Sequence, residues 1–135
     1  MKETDFIEAI KESISDNSFI GSDCADLREV GMFMTQDTLV EDVHFSLKTT
    51  TPFELGQKAI AVNISDLATT ICNPAYVSVG LSVPENIDVE FVKELYRGMD
   101  FACKKYNAVI TGGDITKADK VFISVCAVGR RRHSI

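Results

Sequence analysis

Apolar residues recur along this chain at two spacings, one helical and one of a strand, in alternating blocks. Phe6, Ile7, Ile10 and Ile14 lie three or four apart after a possible cap at Thr4, which predicts an amphipathic helix over 5–14. Gly, Ser, Asp and Asn crowd residues 15–31, which read mainly as loop. Residues 32–35 predict a short strand closed by Asp37, and 40–45 a second. Thr51-Pro52-Phe53-Glu54 combines a cap, a proline suited to the first turn and a reciprocal glutamate. The helix it opens should end near Ala68 or Ile71, before Asn73-Pro74. Residues 76–83 alternate as a strand, and Asp88 caps a helix with Phe91, Leu95, Met99, Ala102 and Tyr106 on one face. Val109-Ile110 then enters a Gly112-Gly113-Asp114 turn, and 121–128 forms the last strand.

Helix, two strands, helix, strand, helix and one or two strands make an α/β domain, with a mixed sheet and helices packed on one face. Several strands carry apolar residues on both sides, so the other face also needs cover, from a second domain or a partner subunit. A chain of 135 residues is one domain with room for a real core.

Composition removes some function classes. Twenty acidic residues against fourteen basic give a net charge of −6. The one basic cluster, Arg130-Arg131-Arg132, reads as a solvated tail, so no nucleic-acid partner is expected. Cys24, Cys72, Cys103 and Cys126 form no CxxC pair, and only His44 and His133 could join them on zinc. Reduced thiols in a cytoplasmic protein are the expectation. No apolar run suits a signal peptide or a membrane span.

The candidate chemistry lies in four aspartates where helices or strands meet loops: Asp23, Asp37, Asp66 and Asp114. Singly, each reads more readily as a turn or cap residue. Asp66 differs because its helix, residues 58–68, is almost wholly apolar, and a carboxylate there needs a partner. A hard metal ion and a neighbouring loop's amides are both open to it. Asn63, Asp66 and Thr70 share one stripe of that helix. Gly112-Gly113 permits close approach of backbone to an anion, flanked by Thr111, Thr116 and Lys117, although no GxxxxGK[ST] loop occurs. Magnesium takes few carboxylates and bridges them to substrate phosphates, so this set suggests phosphoryl transfer.

Three segments carry a resemblance. Residues 35–45 (TQDTLVEDVHF), 58–68 (KAIAVNISDLA) and Gly112-Gly113-Asp114 resemble thiamine-monophosphate kinases in order and approximate spacing, over about residues 5–130. That family belongs with aminoimidazole-ribonucleotide synthetase, selenophosphate synthetase and a hydrogenase-maturation protein. The resemblance implies an N-terminal α/β domain whose sheet pairs with that of a second subunit into a dimeric barrel. ATP and Mg2+ would bind near that interface, and a C-terminal domain would complete each active site. It implies transfer of the γ-phosphoryl of ATP to thiamine monophosphate, giving thiamine diphosphate, without a protein nucleophile. Asp37, Asp66 and Asp114 match its magnesium-binding aspartates, and Asp23 the second acid of its Gly-Asp-Asp motif. Gly112 and Gly113 match the turn beside the phosphates, with Asn63 and Lys117 as further nucleotide contacts. His44 is a possible substrate contact, and a packed strand histidine is its alternative. Ser22 stands for the first acid of Gly-Asp-Asp, Gln36 for a threonine, Asp42 for a glycine, and Thr70-Ile71 for Met-Gly. Residues 1–135 would then be the single nucleotide-binding domain, inactive as a kinase when alone. The alternatives are a non-catalytic nucleotide-binding or dimerising module, and another enzyme of the same superfamily.

Overall fold

The computed structural model describes residues 2–21, 24–68, 70 and 72–132. Local capping decides two of its helices. Thr51 and Glu54 cap one another's amides at the start of the helix α2 (Pro52–Ala68), the second in the chain: Glu54 N–H donates to Thr51 Oγ1 at 3.2 Å, and Thr51 N–H to Glu54 Oε1 at 3.1 Å. Asp88 accepts from the Phe91 amide at 2.8 Å and opens α3 (Val89–Lys104). The first helix, α1 (Glu3–Ser13), begins earlier than expected. Its cap position is Lys2, whose amide donates to Asp5, and not Thr4. No residue of α1 is buried, and Phe6, Ile10 and Ile14 are exposed.

Among the described residues five strands form one sheet: β1 (Ala25–Leu27), β2 (Met32–Val40), β3 (Cys72–Val83), β4 (Val109–Lys117) and β5 (Phe122–Arg131). Their order is β1-β2-β5-β3-β4, with β3 and β4 parallel and every other pair antiparallel. The sheet is therefore mixed, as expected. Three local expectations change. Residues 25–27 are strand, not loop, followed by a 3-10 turn at Arg28–Val30. One strand runs through Asp37 as far as Val40, and 41–45 is a turn. The Gly-Gly-Asp segment lies inside β4.

Helices α2 and α3 cover one face. Leu55, Ile60, Ile64 and Leu67 from α2, with Leu95 and Met99 from α3, are fully buried over Val77, Val79, Leu81, Ile123 and Val125. Each such side chain stabilises the fold by about 1.5–3 kcal/mol. The two helices cross at backbone contact: a Cβ on Gly98 would lie 2.0 Å from the Phe53 carbonyl oxygen, and one on Gly56 2.1 Å from that of Leu95. Tyr106, expected on the α3 face, is exposed beyond the helix end. Cys72 and Cys103 are buried thiols, and burial, with Asp100 adding to it, pushes Cys103 up to about 11.

The opposite face bears no helix among the described residues. Gln36 and Thr38 of β2 both donate to Ser124 Oγ of β5, at 2.9 and 3.1 Å, and Ser82 bonds Thr116 across β3 and β4 at 2.8 Å. Met34 and Tyr76 share this open face and are exposed. Among the described residues no helix is long and apolar enough to cross a membrane.

The arginine run is not simply a tail. Arg131 ends β5, pairs with Asp26 and lies over the Phe33 ring, 4.7 Å from its centroid. Hydrogen bonding and charge from Arg131 hold the Asp26 carboxyl below its usual range. A depressed carboxylate stabilises the fold fully above its unfolded value, near pH 4, and loses that contribution as pH falls through the folded value. Asp26→Asn should therefore melt lower than wild type at pH 7, with the gap closing toward pH 3; a gap independent of pH would contradict this. At the helix crossing, Gly98→Ala should cost about 2–3 kcal/mol in urea unfolding by forcing α2 and α3 apart. An unchanged midpoint would show that the crossing is not tight.

Candidate functional site

The end of α2 meets the start of β1 through one sulfur contact. Cys24 Sγ donates to the Asp66 backbone carbonyl at 3.4 Å. Cys24 lies one residue before Ala25, which pairs with Met34, so the junction sits beside Thr35 on β2. Two residues further along β2 comes Asp37. It shares the helix-covered face with Phe33, Thr35 and Leu39, all buried, and is itself half-buried. Asp66 is half-buried in the last turn of α2. Asn63, one turn earlier, is 1% exposed. Its Nδ2 donates to the Ala59 carbonyl at 3.3 Å, while its Oδ1 finds no donor among the described residues. Thr70, expected on the same stripe, instead donates to the Leu67 carbonyl beyond the helix end. Asp23 lies outside the described residues.

Asp114 is elsewhere. Register aligns Asp114 with Gly80, Gly80 with Ser124 and Ser124 with Thr38, so Asp114 occupies the open face at the far edge. Three inter-strand spacings, about 14 Å, and the thickness of the sheet part it from Asp37. Among the described residues no three His, Cys, Asp or Glu side chains gather where they could hold a metal ion. Oxygen donors in ones and twos suit magnesium that takes its remaining ligands from phosphates and water, and they do not build an all-protein cage.

Gly112 and Gly113 hold φ of 142° and 149°, conformations that L side chains rarely adopt. They follow a register shift between Val77 and Ser78, where β4 carries an extra residue. A Cβ on Gly113 would lie 1.7 Å from the Val79 carbonyl oxygen, while one on Gly112 would meet nothing. Every residue of β4 except Ile110 is exposed, so this backbone is open to a ligand. Lys117 lies four residues on, about 13 Å along the strand, where it pairs with Glu85 at 3.0 Å.

His44 belongs to neither group. It is exposed in the turn after β2, where its Nδ1 accepts from the Val40 amide at 2.9 Å. Lys58 of α2 donates to the His44 carbonyl. Asp42 takes a positive φ of 65°, a left-handed conformation that aspartate tolerates better than most residues. The Cys24 contact and the Lys58 tether join elements remote in sequence, so residue spacing carries no signal of either.

A family profile described as AIR synthase related protein, N-terminal domain, matches residues 21–131. The chain belongs to this family. Among its relatives, thiamine-monophosphate kinase of Corynebacterium glutamicum is 37% identical over 132 residues, covering 95% of this chain and 40% of the relative. That of Aquifex aeolicus is 36% identical over 125 residues, covering 91% and 40%. The solved structure of AaThiL complexed with AMPPCP and TMP superposes with a TM-score of 0.87 at 35% identity, over 94% of this chain and 41% of that one. This AIR synthase related domain thus spans about two fifths of the length of the relatives it matches.

The two glycines of the domain separate backbone freedom from space. Gly113→Ala should destabilise by about 3 kcal/mol or more, through strain plus the clash with β3, and Gly112→Ala by about 1–2 kcal/mol through strain alone. Urea unfolding of the pair checks this; equal losses would mean that β4 does not press on Val79.

Proposed function

We propose that this chain is the nucleotide- and magnesium-binding half of a thiamine-monophosphate kinase. The observation that carries the reading is the likeness, in sequence and fold together, to a protein solved with AMPPCP and TMP. A terminal phosphate oxygen of thiamine monophosphate attacks the γ-phosphorus of ATP, the bond to the β-phosphate oxygen breaks, and ADP leaves. Such a reaction needs positioning and charge neutralisation more than protein covalent chemistry. Bound magnesium would supply that neutralisation, held by Asp37, Asp66 and Asp114, with Asp23 as the fourth candidate. The exposed amides around Gly112 and Gly113 suit phosphate oxygens. His44 is the candidate contact to thiamine monophosphate. Asn63 offers a buried acceptor, and Lys117 a charge that must leave Glu85 to reach phosphate.

A homodimer belongs to this reading. The open face leaves Met34 and Tyr76 exposed, and a second copy's sheet would cover them as a barrel. The distance between Asp37 and Asp114 within one chain supports a site completed across that interface, near which ATP would lie. A cytoplasmic location goes with the substrates. Ser22, where the family's motif has an acid, favours a second reading: a nucleotide-binding module without catalysis.

Titration calorimetry with AMPPCP, with and without magnesium, tests the first step. Binding should require magnesium and weaken at least tenfold in Asp66→Asn. Magnesium-independent binding, or an Asp66→Asn chain that binds as wild type, would remove the metal assignment. Tight binding in a parent protein without turnover of thiamine monophosphate would favour the second reading.

A further inference from the structure

The turn that carries His44 is fixed from several sides. Val43 and His44 amides both donate to the Val40 carbonyl, at 3.1 and 2.9 Å, and the Asp42 amide donates to the Phe45 carbonyl at 2.7 Å. Glu41 is held twice by Val121, its amide donating to the Val121 carbonyl at 3.0 Å and its Oε1 accepting the Val121 amide at 2.9 Å. Phe45 anchors the far end in the core. Two bonds then act on His44 itself. The Val40 amide occupies Nδ1 as an acceptor, which places the ring proton of the neutral imidazole on Nε2. Lys58 reaches fourteen residues back from α2 to the His44 carbonyl, tying the peptide that follows the ring to the helix. Nε2 has no hydrogen-bond partner among the described residues, and the side chain is exposed.

We propose that Lys58 is a positioning residue that acts through His44: it holds the turn so that the imidazole stays on the Val40 amide and presents Nε2–H outward as a fixed donor for a phosphate oxygen. This rests on the reading of His44 as a substrate contact. Lys58 is exposed and makes no ion pair among the described residues, so its ammonium is committed to this carbonyl. An amine can release the carbonyl, whereas a bare methylene chain cannot hold it at all, so Lys58→Met and Lys58→Arg separate charge-assisted bonding from bulk.

The test is nitrogen NMR on this chain labelled with 15N, reading the coupling transmitted from the Val40 amide nitrogen to His44 Nδ1 through the hydrogen bond. Wild type and Lys58→Arg should show it. Lys58→Met should lose at least half of it, and its Val40 amide should exchange with solvent at least tenfold faster, with an unchanged melting temperature showing that the fold persists. Full coupling and slow exchange in Lys58→Met would overturn the proposal, as would absence of the coupling in wild type. Thiamine monophosphate is then added to the parent protein. If Lys58→Met loosens the ring but the substrate moves no His44 signal, the positioning device stands and the substrate contact falls. If the ring stays fixed without Lys58, the device falls whatever the substrate does.

Discussion

Where α2 crosses α3, neither backbone leaves room for a β-carbon on Gly56 or Gly98. That approach brings two helices close enough to cover the middle of a five-stranded sheet from one side, and Leu55, Leu95 and Met99 become fully buried there. Side chains any larger at the crossing would lift one helix and expose Val79 and Leu81 beneath. The same economy leaves the second face without helices. Its surface of serine, threonine and glutamine hydroxyls and amides, with Met34 and Tyr76 among them, is set by how few elements the chain spends on covering the sheet.

Sheet order turns this layering into a statement about chemistry. Asp66 and Asp37 lie toward the helix-covered side, close to where Cys24 ties α2 to β1. Asp114 and the strained glycines lie on the far edge strand, and Asp114 faces the other way. Since β2 and β4 are separated by β5 and β3, no side-chain rearrangement brings the two sets together in one chain. A site that draws on both sets would therefore take them from different chains, as the proposed homodimer allows.

Much of this could be read from residues close in sequence. Capping at Thr51-Glu54 and Asp88 and the periodicity of α2 and α3 are local, and the elements form where those signals place them. The continuation of β2 past Thr35 to Val40 was hidden because its inward positions, Phe33, Thr35, Asp37 and Leu39, mix polar with apolar residues, while Met34 and Val40 face outward. Alternation fails as a signal when half a buried face is polar. Gly112-Gly113 suggests a turn by every local rule, and only parallel pairing with β3, a contact between residues some thirty positions apart, draws it into a strand. The candidate acids were identified by their types and their place in motifs. Their division between two faces was not legible, because it depends on the order in which remote strands pair.

Mixing two inactive variants would test a shared site most directly. Chains carrying Asp37→Asn and chains carrying Asp114→Asn are each titrated with AMPPCP and magnesium, then unfolded, mixed in equal amounts, refolded and titrated again. If each site takes Asp37 from one chain and Asp114 from its partner, half the dimers are mixed and each has one intact site, so binding returns at about a quarter of all sites. A mixture that binds no better than either variant alone would contradict it, and would place both aspartates in the service of a single chain.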